Sequence, residues 1–338
     1  MNIQRRSTTR QRDRIPWSME QLKEQRAWVI GGSLERATTK AYASAFLSYT
    51  TFCEMHHLPI QPTPDTLSFY IVYMSHHIQP RSVKSYLSGI CAELEVNWPE
   101  IREVRSSRIV TRTLAGCIKL LGQPATQKRA LTEHDLSSVL HSLPSSPSHD
   151  DLLFVGILFT GWHCLLRLGE LVQPDERSLR DFQKAIPRSS VKLASSPRPH
   201  AAFFLPMHKA DRLWEGSSIV LEQHAGPLDP LPIFKRYLSS RDSLFPFLPD
   251  LWLTAAGKIP TRSWFITKLR AIFPGDNVAG HSLRAGGATA LALAGTPLDR
   301  IRLIGRWSSE AFLIYLRQNP ILLQSSTSRH SAFEHMCA

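Results

Sequence analysis

Six residues spread between positions 167 and 315 have the chemistry to work on a phosphate diester. Tyr315 closes the run Gly305-Arg306-Trp307-Ser308-Ser309-Glu310-Ala311-Phe312-Leu313-Ile314-Tyr315, and it is the sole tyrosine after His281-Ser282-Leu283-Arg284. A phenolic oxygen is a nucleophile that forms covalent intermediates, but its ordinary pKa near 10 means a neighbour must take its proton. His281 is the candidate base. A planar guanidinium grips phosphate oxygens in pairs, which makes Arg284 and Arg167 candidate clamps. Arg167 leaves an apolar run in Leu166-Arg167-Leu168-Gly169-Glu170-Leu171, so it needs an anion, either Glu170 or a phosphate. Lys209, in His208-Lys209-Ala210-Asp211-Arg212, and Trp307 complete the set. Taken singly each has a plain reading: an exposed lysine in a turn, a core indole, a core phenol, a chance His-x-x-Arg. Their order and the charge of the chain favour the joint reading, an enzyme that cuts DNA by attaching it to itself.

That charge is strongly positive. The 338 residues carry 40 Lys and Arg against 28 Asp and Glu, a formal charge of +12. Residues 1–130 hold 18 of the bases and 10 of the acids, so +8 of the total lies there. A domain this basic usually meets a polyanion, DNA or RNA first. An anionic membrane would attract it too, but no window approaches the roughly 18 apolar residues of a spanning helix. The N-terminus has no apolar h-region, so no secretory signal is read. Cys53, Cys91, Cys117, Cys164 and Cys337 are odd in number and scattered. They point to reduced thiols rather than a zinc site or a disulfide framework. His56-His57 and His76-His77 are adjacent pairs, and neighbours on a helix do not face one another, so they read as solvated helix ends.

The elements that must position these groups are mostly helical. Residues 1–17 form a basic arm with Arg5, Arg6, Arg10, Arg12 and Arg14, expected to be flexible. Residues 18–122 read as a helical bundle. Tyr42, Phe46, Tyr49 and Cys53 make one apolar face, and Thr63-Pro64-Asp65 starts a helix with an N-cap, a proline and an acid in order. Pro80 starts another, with Val83, Leu87, Ile90 and Leu94 as its stripe, and Val110, Leu114, Cys117 and Leu121 mark a last one. Arg81 and Lys84 lie one turn apart beside the stripe, and Arg105, Arg108 and Arg112 follow the same spacing. Any one of them reads as a solvated residue, whereas the two rows together read as phosphate contacts.

Residues 123–131 read as a linker, and residues 132–325 as a second domain with a tail at 326–338. Thr132 caps its first helix. The apolar stretch from Asp150 to Leu171 reads as one buried helix ending at Arg167. Val191-Lys192-Leu193, Ala201 to Leu205 and Ser218 to Leu221 read as three short strands, with Lys209 in the turn after the second. Thr296-Pro297-Leu298-Asp299 caps the helix before Trp307, and Ile321 to Gln324 suggests a weak helix after Tyr315. The fold expected is mainly α with a small β-sheet: an N-terminal helical bundle and a mixed α/β domain.

This chain resembles the tyrosine recombinases of the phage-integrase class over about residues 20–320. The family's ordered signature of Arg, Lys, His-x-x-Arg, His or Trp, and Tyr falls on Arg167, Lys209, His281, Arg284, Trp307 and Tyr315. The runs His208 to Asp211, His281 to Thr289 and Gly305 to Ser309 are similar in particular to recombinases of eukaryotic mobile elements, including fungal ones. The resemblance implies a core-binding, SAM-like bundle and a catalytic domain of the DNA breaking-rejoining type. It implies a site-specific recombinase or integrase working through a 3′-phosphotyrosine, with Lys209 protonating the leaving 5′-oxygen and no cofactor or metal. Its partners would be double-stranded DNA and three further copies of the chain, a homo-tetramer on two DNA sites, with no membrane and no small-molecule substrate. It would act in the nucleus of a eukaryote, or otherwise in the cytoplasm. Two departures stand out. Counting nine positions back from Tyr315 reaches Arg306 rather than Trp307, and Trp162 to Leu166 intervene between Thr160-Gly161 and Arg167. A topoisomerase-like enzyme and an inactive recombinase-derived DNA-binding protein fit the same residues. If many phosphates are neutralised, duplex affinity should fall steeply between 50 and 200 mM salt, by about a thousandfold for six contacts; a flat salt response in a binding titration would contradict this.

Overall fold

Thr63 shows how the local sequence sets the helices. Its hydroxyl accepts from the Thr66 amide at 3.1 Å, and the Thr66 hydroxyl accepts from the Thr63 amide at 2.8 Å. Pro64 then takes the first helical position, where its missing N–H costs nothing. The computed structural model describes residues 14–32, 34–124, 128–207 and 215–316. Most of the basic arm, Lys209, the Ile321–Gln324 segment and the tail at 326–338 lie outside the described residues. The chain divides into two units, Met1–Ala125 and Thr126–Ala338.

The first unit is helical. It contains α1 (Met19–Gly31), α2 (Arg36–Met55), α3 (Pro64–Ser75), α4 (Pro80–Leu94), α5 (Ile101–Ser106) and α6 (Arg108–Leu121). Its core gathers Tyr49, Phe52 and Cys53 from α2, Leu67, Tyr70 and Ile71 from α3, and Val83, Leu87 and Ile90 from α4. Tyr70 takes the rings of Tyr49 and Phe52 edge-on, with centroids 5.5 and 5.4 Å away. Helix α1 buries none of its residues. Arg81, Lys84, Arg108 and Arg112 are exposed and Arg105 is half-buried. The spacing expected for Arg105, Arg108 and Arg112 is interrupted, because Ser107 is extended (φ −55°, ψ 150°) and separates α5 from α6. Arg105 instead leans onto α4, donating to the Lys84 carbonyl at 3.3 Å and the Ser88 hydroxyl at 3.1 Å.

The second unit is built around α8 (His149–His163), after α7 (Glu133–His141). Every residue of α8 from Leu153 to Trp162 is buried. A helix apolar all round must be enclosed on all sides. Helices α10 (Pro230–Leu244) and α12 (Gly280–Leu293) pack along it. The sheet comprises β1 (Lys192–Ala194), β2 (His200–Leu205) and β3 (Ser217–Glu222), antiparallel in the order β1-β2-β3. Phe203 of β2 stacks on Phe234 of α10 at 6.2 Å. Further on come α11 (Arg262–Ile272), α13 (Leu298–Gly305) and α14 (Leu313–Leu316). Arg241 of α10 is only 1 % exposed. It spends its guanidinium on the carbonyls of Phe245 (2.7 Å), Asp250 (2.9 Å) and Leu248, which staples the following loop to the helix.

Two expected helical features differ. The run from Asp150 to Leu171 is two helices, because α8 stops at His163 and Leu165 turns left-handed at φ 51°. The chain restarts as α9 (Leu168–Leu171), a single turn with Arg167 as its N-cap. Helix α13 has Pro297, not Thr296, as its N-cap, and no side chain caps it. Within the stretch expected as a linker, Arg129 and Leu131 are built into the second unit. The Leu131 amide donates to the Ser282 carbonyl at 3.0 Å, and Arg129 pairs with Asp135 at 2.6 Å and Asp276 at 2.5 Å.

Gly286 and Gly287 let α12 approach the end of α8. A Cβ at Gly286 would overlap the Leu131 carbonyl, and one at Gly287 the Trp162 carbonyl. Trp162 also donates its indole N–H to the Leu131 carbonyl at 3.0 Å. Gly286→Ala should therefore destabilise the protein by about 1–3 kcal/mol in a denaturant titration, the usual cost of overpacking; an unchanged midpoint would refute the tight contact.

Candidate active site

The α8–α9 break, the start of α12 and the end of α13 converge. Arg284 lies on the first turns of α12 and is 1 % exposed. Its Nη1 donates to the Leu165 carbonyl at 2.7 Å, and its Nη2 donates to the Gly305 carbonyl. The left-handed turn at Leu165 presents one acceptor and the C-terminus of α13 the other, which is where a helix leaves carbonyls unpaired. Trp307 lies over the guanidinium, with Cζ 3.9 Å from the ring centroid, a cation–π contact. Gly305 is needed beneath that indole, since a Cβ there would collide with it. Burial, with Arg167 adding to it, pushes the Arg284 pKa down to about 9, so it is still a cation at neutral pH.

Tyr315 is half-buried on α14. Its ring centroid is 6.2 Å from that of Trp307, and the Phe312 ring is 5.4 Å from the same indole. The Thr289 hydroxyl of α12 gives its proton to the Ala285 carbonyl at 2.8 Å and lies 3.5 Å from the Tyr315 carbonyl. A one-turn helix is not stable alone, so these contacts hold Tyr315 in place.

Arg167 is the most exposed of the three converging arginines, with 27 % of its side chain accessible. Its Nη1 donates to Glu170 Oε1 at 2.9 Å, and its backbone N–H to Glu170 Oε2 at 2.9 Å. Of the two partners expected for it, this structure pairs it with Glu170. The same carboxylate accepts from Arg306 Nη2 at 2.9 Å. Arg306 is left-handed (φ 54°) at the C-cap of α13, and its side chain is 12 % exposed. Burial pushes its pKa down and Glu170 opposes this.

Arg167, Arg284, Trp307 and Tyr315 are thus brought together. His281 is exposed in the first turn of α12, three residues before Arg284 and so near the same helix face. Lys209 lies outside the described residues. Two participants were not singled out from sequence. Glu170 entered only as a possible partner of Arg167, and Thr289 only as the last residue of the run from His281. Nothing local marks Glu170 and Arg306 as partners, since they are 136 positions apart. Among the described residues no group of His, Cys, Asp and Glu is placed to hold a metal, and no helix is long and apolar enough to cross a membrane.

The chain leading to Arg167 contains a half-buried histidine. His163 Nε2 has no hydrogen-bond partner, and its ring lies 4.8 Å from that of His224. Both line a cavity of about 590 Å³ between β3 and α13 that Cys164 and Arg306 also border. Burial pushes His163 down to about 3.

The fold, mainly helical with one three-stranded sheet, is that of several solved integrases and recombinases. The Tn1549 transposon integrase in complex with circular intermediate DNA matches with a TM-score of 0.56 at 15 % identity, covering 92 % of this chain and 97 % of that one. The XerH site-specific recombinase bound to a palindromic difH substrate in a post-cleavage complex matches at 0.54 and 12 %, covering 86 % and 78 %. A lambda integrase tetramer bound to a Holliday junction matches at 0.51 and 13 %, covering 88 % and 76 %. No protein-family model matches the sequence, and no curated protein matches it either.

Between about pH 3 and 6.5 the unfolded chain would bind a proton at His163 that the folded chain refuses. Stability should therefore rise with pH across that window, by up to about 1.4 kcal/mol per pH unit from this ring. His163→Leu should flatten the dependence of unfolding free energy on pH there; an unaltered slope would mean that the ring is not held neutral.

Proposed function

We propose that this protein is a site-specific DNA recombinase that cleaves and rejoins DNA through a 3′-phosphotyrosine. The observation that carries the reading is the convergence of a phenol, an indole and two arginines from separate elements, in a fold shared with recombinases solved on DNA. Tyr315 attacks the phosphorus, forming the Tyr–O–P bond as the P–O5′ bond breaks. His281 takes the phenolic proton and Lys209 gives one to the leaving 5′-oxygen. The covalent bond retains the energy of the broken linkage, and a 5′-hydroxyl from another strand completes the exchange by the reverse displacement.

Arg167 meets the non-bridging oxygens with the N–H groups that Glu170 leaves over. Fixed positive groups of this kind stabilise charge in the transition state without reorganising. Arg284, with Trp307 over its guanidinium and two N–H groups on the Leu165 and Gly305 carbonyls, offers its remaining N–H groups to the same phosphate. Trp307 packs the site and donates its indole N–H to that anion. DNA binding by the first unit through Arg81, Lys84, Arg105, Arg108 and Arg112, a tetramer on two DNA sites, an origin in a eukaryotic mobile element and a nuclear place of action belong to the same reading.

Nicked suicide duplexes with a randomised core, resolved on a denaturing gel, test the chemistry. The wild type should yield a covalent protein–DNA adduct and Tyr315→Phe none, because the mutant keeps the packing and loses only the nucleophilic oxygen. An adduct of equal yield from Tyr315→Phe would assign the nucleophile elsewhere.

A further inference from the structure

Arg306 has no part in the proposed displacement, yet its side chain is only 12 % exposed at the site. Burying a guanidinium is costly, and Arg306 Nε has no hydrogen-bond partner. Its strongest contact is Glu170. That carboxylate is 6 % exposed, and its two oxygens are divided: Oε1 takes the Arg167 side chain, while Oε2 takes the Arg167 backbone N–H and Arg306. The geometry points to Arg306 as a positioning residue that holds the Glu170 carboxylate in one rotation, so that Glu170 fixes Arg167 through Nη1 alone and leaves the rest of that guanidinium for an oxyanion.

The physical argument concerns what the carboxylate does when Arg306 is removed. Carboxylate and guanidinium favour a bidentate fork. With Arg306 gone, Oε2 keeps only the Arg167 backbone N–H, and Glu170 can exchange that bond for a second N–H of the Arg167 side chain, withdrawing it from a phosphate. The local charge also changes. Arg167, Arg284 and Arg306 against Glu170 leave two net positive charges; loss of Arg306 leaves one. Both effects weaken oxyanion binding at Arg167, although Arg306 itself touches no oxyanion. Its left-handed backbone at the end of α13 aims the side chain inward, and its neighbour Trp307 covers Arg284. The adjacent pair thus serves two different arginines, which explains why counting back from Tyr315 lands on a residue unlike the indole next to it.

The inference rests on the reading of Arg167 as a phosphate contact, and its test separates the two. Arg306→Gln should slow adduct formation about tenfold to a hundredfold, the range for a charge-assisted hydrogen bond. Arg306→Lys, which can still donate to Oε2, should restore most of the rate. The double variant Arg306→Gln/Glu170→Gln should be no slower than the slower single variant, because both act through one contact. On the captured duplex with a methylphosphonate at the scissile position, which carries no charge for Arg167 to meet, the gap between Arg306→Gln and wild type should shrink. Multiplying losses, or an equal gap on both linkages, would overturn the proposal and leave Arg306 a purely structural residue. Calorimetry with tungstate reads the same contact without cleavage. There Arg306→Gln and Arg167→Gln should each weaken binding, with little added in the double variant. Unchanged affinity in Arg306→Gln, or no binding by the wild type, overturns the inference. A wild type that binds tungstate in this Arg306-dependent way but forms no adduct sinks the recombinase reading alone.

Discussion

The close approach of α12 to the end of α8 is the constraint on which the site depends. Two adjacent glycines bring the helix backbone against the carbonyls of Leu131 and Trp162. That approach places Arg284 within reach of the Leu165 carbonyl, and α13 then closes over it with Gly305 and Trp307. Every other group in the site is positioned from this junction. Arg167 follows the break at Leu165 by two residues, and Tyr315 is braced by Trp307 and Thr289. The small residues that follow Arg284, Ala285-Gly286-Gly287-Ala288, are therefore what allows four elements to meet.

The arrangement uses arginine in three ways. Arg284 is a buried cation satisfied by carbonyls and a π face, Arg306 a largely buried cation paired with a carboxylate, and Arg167 a partly exposed cation with donors to spare. Their environments, not their residue type, separate the roles. A buried charge persists only where its hydrogen bonds are met, and the acceptors at the end of α13 and at Leu165 meet those of Arg284. Glu170 lets two like charges sit close together by lying between them.

Much of this was legible in the sequence because the signals are local. Thr63-Pro64 and Thr132 announce helix starts within three residues, and the three strands appear as short β-branched and aromatic runs between turns. The convergence of Arg167, Arg284, Trp307 and Tyr315 was legible through their order along the chain. The break at Leu165 was not, since an apolar residue in an apolar run gives no hint of a left-handed turn; glycine or asparagine would have. The extended Ser107 that separates α5 from α6 was equally quiet. The Glu170–Arg306 pair joins positions too far apart for periodicity to register, and only the fold discloses it.

Arg241 carries one more consequence. A guanidinium that ties down three backbone carbonyls is hidden from any polyanion, and Arg188 and Arg129 are likewise matched to carboxylates in the second unit. The formal count of basic residues thus overstates what that unit shows to the outside. In the first unit Arg81, Lys84, Arg108 and Arg112 stay turned to solvent. Under the reading proposed above, long-range attraction of a polyanion would then rest on the bases each unit leaves in solvent, in the second among them Lys235, Arg236, Arg262, Arg270, Arg300 and Arg302.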